Sequence, residues 1–245
     1  VSTIDLDTRQ RTLTHYIDNR LGWARTRDIE LMTPTHICFD EDNEFGASDE
    51  SAGCAALAEI LDKASSNHAF VVVDTAGHSN YLARFAHSRA DALITPLNDS
   101  FLDLDVLATL DPDNFSIVNL SQYAQMVQSV REARRLAGGD LTWLVLRNRL
   151  SMLSSRNKRH VGQAIGELAR MLDFRFVDGL AERVVYREYF LRGLTAFDQI
   201  KEMILGTRPT MSHVAAQLEM QSLIGALLPA ITSRMETPDR QATAA

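Results

Sequence analysis

The sequence predicts an α/β fold, a doubly wound and mostly parallel sheet with helices on both faces, in three layers. Three observations carry this expectation. The runs Ala69–Asp74, Ala92–Thr95 and Leu141–Leu146 are continuously apolar and rich in β-branched residues, as in strands covered on both faces. Stretches with apolar residues at helical spacing lie between them. Acids or amides (Asp5, Asp74, Asn148) stand at or just after strand ends, where such sheets gather their ligands.

The elements follow in order. Val1–Asp5 reads as a strand already under way, and Leu13, Tyr16, Ile17 and Leu21 give a helix from Arg9 to Trp23. Residues 24–51 are polar, with Asp40-Glu41-Asp42 and Asp49-Glu50, and read mainly as an exposed loop holding a short strand near Ile37–Phe39. Ala52–Ala64 is a helix with Leu57, Ile60 and Leu61 on one face, and the strand Ala69–Asp74 follows. A helix over Ser79–Arg89 leads to the strand Ala92–Thr95, which Pro96 is expected to halt. Tyr123–Leu136 is helical and stopped by Gly138-Gly139. After the strand Leu141–Leu146 come a helix over Lys158–Leu172, a short strand over Phe174–Val177 and a C-terminal helix over Met211–Met235, interrupted near Pro229. Residues 1–235 are expected to form a single domain and 236–245 a disordered tail.

Composition narrows the class. Of 245 residues, 45% are apolar and 23% charged, which excludes global disorder. The net charge of −7 excludes a wholesale nucleic-acid coat but leaves room for a local basic face. Residues 141–166 contain no acid and hold Arg147, Arg149, Arg156, Lys158 and Arg159; Arg183, Arg187 and Arg192 follow. These are either a phosphate-binding face that touches DNA without reading its sequence, or a solvated helix surface. Cys38 and Cys54 have no metal-type spacing and read as reduced thiols. There is no run of roughly 18 apolar residues and no signal pattern, so a cytoplasmic location is expected.

Asp74 closes an apolar strand and precedes Thr75 and Gly77. An acid there can hold Mg²⁺, with a glycine N–H approaching a terminal phosphate, or it is a plain polar strand end before a turn. Asp5 and Asp7 close another strand; alternate residues of an extended chain face opposite ways, so one of them at most faces a given ligand while the strand lasts. One acid could assist a metal and the other position water. Asn148 can pair with a nucleotide base through its amide, or form a turn.

The stretches Ile4–Thr12 (IDLDTRQRT), Val71–Ser79 (VVVDTAGHS), Ala90–Leu107, Trp143–Ser151 (WLVLRNRLS) and Gly179–Asp198 together resemble the ParA/MinD family of deviant-Walker P-loop ATPases, most closely its MipZ branch, which positions the bacterial division plane. The resemblance runs from residue 1 to about 225. It implies a Rossmann-like P-loop NTPase fold, ATP and Mg²⁺ as cofactors, and ATP-dependent homodimerisation. It places Asp7 on the switch I acid that promotes hydrolysis and Asp5 on its companion near the metal. Asp74 falls on the metal acid, Thr75 and Gly77 on the phosphate-sensing turn, and Asn148 with Arg149 on the base contact. Arg156, Lys158, Arg159, Arg183 and Arg187 become candidates for non-specific DNA. ParB and FtsZ are the implied partners, with a nucleoid-associated cytoplasmic location and no membrane. Ala76 stands where the family usually has proline, which loosens the turn and keeps the acid and the glycine.

The family's KGGxGKS/T loop has no counterpart, because no Gly-Lys pair occurs and the lysines are only Lys63, Lys158 and Lys201. The expectation is therefore a domain lacking its first strand and phosphate loop, with roughly 35 residues missing. Such a chain should bind ATP poorly by itself and melt without cooperativity. Two other readings stand beside this one: a ParA-type chromosome or plasmid partition ATPase, and a catalytically dead, nucleotide-free interaction domain.

Overall fold

A computed structural model describes residues 1–39, 49–77, 80–98, 100–150, 156–177 and 179–232, without the side chains of 156–159 and 230. Asp40–Asp42, Asp99, the side chains of Arg156, Lys158 and Arg159, and the tail 236–245 lie outside the described residues. The fold is α/β with parallel sheets, and the chain divides into two units.

The first unit joins Val1–Arg89 to Val184–Val214. Its elements are β1 (Ser2–Asp5), α1 (Thr12–Arg27), β2 (Thr35–Cys38), α2 (Glu50–Asn67), β3 (Val71–Asp74), α3 (Tyr81–Arg89), α7 (Val184–Arg192) and α8 (Glu202–Leu205). The strands form a parallel sheet in the order β2-β1-β3. Asp5 pairs in register with both Cys38 and Asp74. Every residue of β1 is buried. Ile4 joins Phe39, Leu57, Leu61, Leu82 and Ala86 in the core, while its neighbours Thr3 and Asp5 bond to His36 and Thr14. The period of two thus sends Ile4 toward α2 and α3 and its neighbours toward α1.

Helix α1 is moored to the far end of the sequence. Tyr16 packs edge-on to Phe190 with ring centroids 5.7 Å apart, and its hydroxyl donates to the Leu194 carbonyl. Arg20 grips Asp198 with two bonds of 2.8 and 2.7 Å and donates to the Gly193 and Met32 carbonyls. Trp23 donates to the Ile204 carbonyl at 2.7 Å. Gly193, at φ 59°, allows this approach, since a Cβ there would sit 2.1 Å from the Arg20 nitrogen.

The second unit joins Ala90–Arg183 to residues 215 onward. It contains β4 (Ala92–Asn98), α4 (Phe101–Leu104), β5 (Ala108–Leu110), β6 (Ile117–Leu120), α5 (Gln122–Leu136), β7 (Thr142–Asn148), α6 (Arg156–Leu172), β8 (Arg175–Val177) and most of α9 (Met211–Thr232). A parallel sheet runs β4-β7-β8, with Asn98 opposite Asn148, and β5 and β6 form an antiparallel pair. Trp143, Val145, Leu107, Ile165 and Leu168 anchor the core, and the indole N–H donates to Thr95 at 3.0 Å. Leu223 and Leu227 of α9 pack on Leu144 and Val177.

Several expectations change. The single sheet is two three-stranded sheets, with β3 and β4 each an edge. Among the described residues Val72 is 52% and Ile94 41% exposed, more than strands covered on both faces were expected to show. Strand β4 runs through Pro96 to Asn98, because a strand paired on one side only tolerates a missing N–H. Helix α9 likewise continues past Pro229 to Thr232. The β5–β6 pair carries no strong alternation and was not expected. Phe101 packs on the second unit's core and stacks on Phe115 at 5.0 Å.

Candidate functional site

The first unit brings three acids to the carboxyl ends of adjacent strands, and each is held differently. Asp5 is 1% exposed. Its Oδ1 accepts from the Asp7 N–H at 3.0 Å; its Oδ2 accepts from the Thr14 N–H at 2.9 Å and hydroxyl at 2.8 Å. Helix α1 begins at Arg11, in the left-handed region at φ 48° with no side-chain cap of its own. Asp5 supplies that cap from the strand, placing its carboxylate at the positive end of the helix.

Asp7 is half-buried and shapes the following turn. Its Oδ1 accepts from the N–H groups of Arg9 at 3.2 Å and Gln10 at 3.0 Å, and its carbonyl accepts from Arg11 at 2.9 Å. Asp74 ends β3 with its side chain open to solvent, and its carbonyl accepts from the Leu6 N–H at 2.8 Å. Surrounding protein, then the charges of Asp5 and Asp7, raise the Asp74 carboxyl above its ordinary value. Thr75 is half-buried and Ala76 buried after it. A Cβ added at Gly77 would meet nothing within 4 Å, so the turn leaves open space.

In the second unit Asn148 ends β7, half-buried, and Arg149 follows, exposed, at φ 49°. The turn is pinned by bonds from Leu150 N–H to Leu180 carbonyl (2.9 Å) and from Glu182 N–H to Leu150 carbonyl (3.0 Å). Gly179 lies so close that a Cβ there would fall 1.6 Å from the Arg147 carbonyl oxygen.

A family model described as the ATPase MipZ matches residues 1–230. This chain belongs to the MipZ family of ATPases. No curated protein matches it. Membership in MipZ makes it an ATPase-family protein of the ParA/MinD type, and family proteins use nucleotide and Mg²⁺.

The residues present fit that cofactor pair in part. Among the described residues no three His, Cys, Asp or Glu side chains form a metal cluster. Mg²⁺ does not require one, since it keeps waters and takes one or two carboxylates beside substrate phosphates. An open Asp74 whose charge is disfavoured by two neighbouring acids suits a divalent cation. No Gly-Lys pair is available to cradle the phosphates. Among the described residues no helix is long and apolar enough to cross a membrane.

The basic candidates fare unevenly. Arg183 is half-buried, and its guanidinium donates twice to Glu219 Oε1, at 3.1 and 2.6 Å. Arg187 is exposed on α7. Sequence reasoning missed Thr14, His36, Glu219 and the Arg20–Asp198 pair. Each acts through a partner distant in sequence.

Proposed function

We propose that this chain carries the switch and base-binding parts of a MipZ-type ATPase: ATP bridges two protomers, hydrolysis separates them, and the dimer contacts DNA and restrains FtsZ while the monomer engages ParB. The observation that carries the reading is the convergence of Asp5, Asp7 and Asp74 at the ends of two strands in register. Asp74 would hold Mg²⁺, which when bound neutralises developing phosphate charge. Asp7 would orient the attacking water with the carboxylate oxygen that its own turn leaves unused. Asp5, buried and saturated, serves as the anchor of the switch turn. Asn148 and Arg149 would meet the base, with the amide donating and accepting. The DNA candidates are Arg156, Lys158, Arg159, Arg183 and Arg187, of which Arg187 is exposed and Arg183 is half-buried against Glu219.

The test is ATP-dependent dimerisation by light scattering, in the protein expressed from its natural start codon. Transient dimers for the wild type and persistent dimers for Asp7→Ala are expected. No response to ATP in either protein would leave the second reading, a nucleotide-free interaction domain, which the lack of a Gly-Lys pair in these 245 residues favours.

A further inference from the structure

A line of polar side chains runs through α1, β1 and β2: Asp5, Thr14, His36, Thr3. Thr14 Oγ1 lies 2.8 Å from Asp5 Oδ2 and 3.0 Å from His36 Nε2, and His36 Nδ1 lies 2.9 Å from Thr3 Oγ1. The protons in this line have one consistent arrangement. A carboxylate only accepts, so the single Thr14 hydroxyl proton goes to Asp5. Thr14 Oγ1 is then an acceptor toward the ring, and His36 Nε2 must carry a hydrogen. In the neutral ring Nδ1 is left bare and accepts from Thr3. His36 and Thr3 are opposite one another in the β1–β2 register, so the sheet itself sets this spacing.

We propose that His36 is a positioning residue for the Asp7 turn. Its Nε2–H orients the Thr14 hydroxyl, and Thr14 with its own N–H fixes Asp5 Oδ2. The other oxygen of the same carboxylate holds the Asp7 N–H at 3.0 Å. The ring on β2 thus determines where the backbone of Asp7 leaves β1 and how α1 begins. A rigid carboxylate fed from both sides makes the turn stiffer than a solvated one. The functional weight of this rests on the reading of Asp7 as the residue that governs hydrolysis; the positioning itself does not.

The first measurement needs no mutation. Nitrogen-15 spectra of the histidine-labelled protein, expressed from its natural start codon, are taken at about pH 8.5, well above the ordinary histidine value. Nε2 of His36 is expected to be protonated; a ring bare at Nε2 overturns the proposal.

Variants then test the relay by hydrogen exchange. His36→Gln carries an amide N–H to the place of Nε2, whereas His36→Asn reaches only that of Nδ1. In His36→Ala, His36→Asn and Thr14→Val, the Asp7 and Thr14 amides should exchange roughly five- to tenfold faster, while amides of α2 keep their protection. His36→Gln should stay within about twofold of wild type. Unchanged exchange in the alanine variant, or equal behaviour of the glutamine and asparagine variants, refutes the relay. These readouts involve no nucleotide, so a wild type that ignores ATP strikes the ATPase reading and leaves the relay to be decided by the spectra and the exchange rates.

Discussion

Arg20→Met tests whether the mooring of α1 depends on charge. The Arg20 and Asp198 side chains are 6% and 10% exposed, and the guanidinium makes four bonds, two to Asp198 and one each to the Gly193 and Met32 carbonyls. Removing the cation leaves a buried carboxylate that keeps bonds from the Thr195 N–H and hydroxyl. Breaking one side of a buried pair costs about 3–5 kcal/mol. The double variant Arg20→Met/Asp198→Leu removes the stranded charge but takes their partners from two carbonyls and from the Thr195 N–H and hydroxyl, so it should recover only about 1 kcal/mol of that loss. Burial opposes the charge on Asp198, but bonds from Arg20 and Thr195 and the Arg20 charge outweigh it, so the carboxyl lies below its ordinary value. A depressed acid contributes stability above the ordinary carboxylate range, and that contribution disappears as pH falls through the lower folded value. The assay is urea unfolding of the wild type, both singles and the double, at neutral and acid pH. A loss below about 1 kcal/mol for Arg20→Met, the size of an exposed pair, would refute the argument.

Two further outcomes are expected. Burial lowers His87, so its neutral form stabilises the fold above the ordinary histidine value and that stability is lost on acidification; His87→Gln should flatten the decline in urea midpoint between about pH 7 and pH 5. Gly179→Ala would force a Cβ against the Arg147 carbonyl and Leu146, and should cost more than about 3 kcal/mol by thermal unfolding.

Much of this was legible beforehand. The apolar runs located β3, β4 and β7, because burial on even one face selects β-branched residues. The acids at their ends were visible for the same reason, as abrupt changes from apolar to charged. What stayed hidden depended on partners far away. Asp5 looks like Asp7 in sequence, yet one is saturated by Thr14 and the other shapes its own turn. Thr14 and His36 are 22 residues apart, and only the pairing of β1 with β2 brings them together. Pro96 and Pro229 were read by their local effect, which an edge strand and a packed helix tolerate. Arg183 counted as a candidate for phosphate contact until Glu219 of α9 was placed beside it.

The mooring of α1 also sets an order of events during synthesis. Arg20 and Asp198 are 178 residues apart. At roughly 5–20 residues per second the ribosome takes roughly ten to thirty-five seconds to deliver the second after the first. Once β3 has been made the first sheet has its strands, but α1 still has no anchor, and Tyr16, Arg20 and Trp23 wait for their partners. The strands of the second sheet are made before the first unit can close, and α9, which packs on that sheet, is made later still.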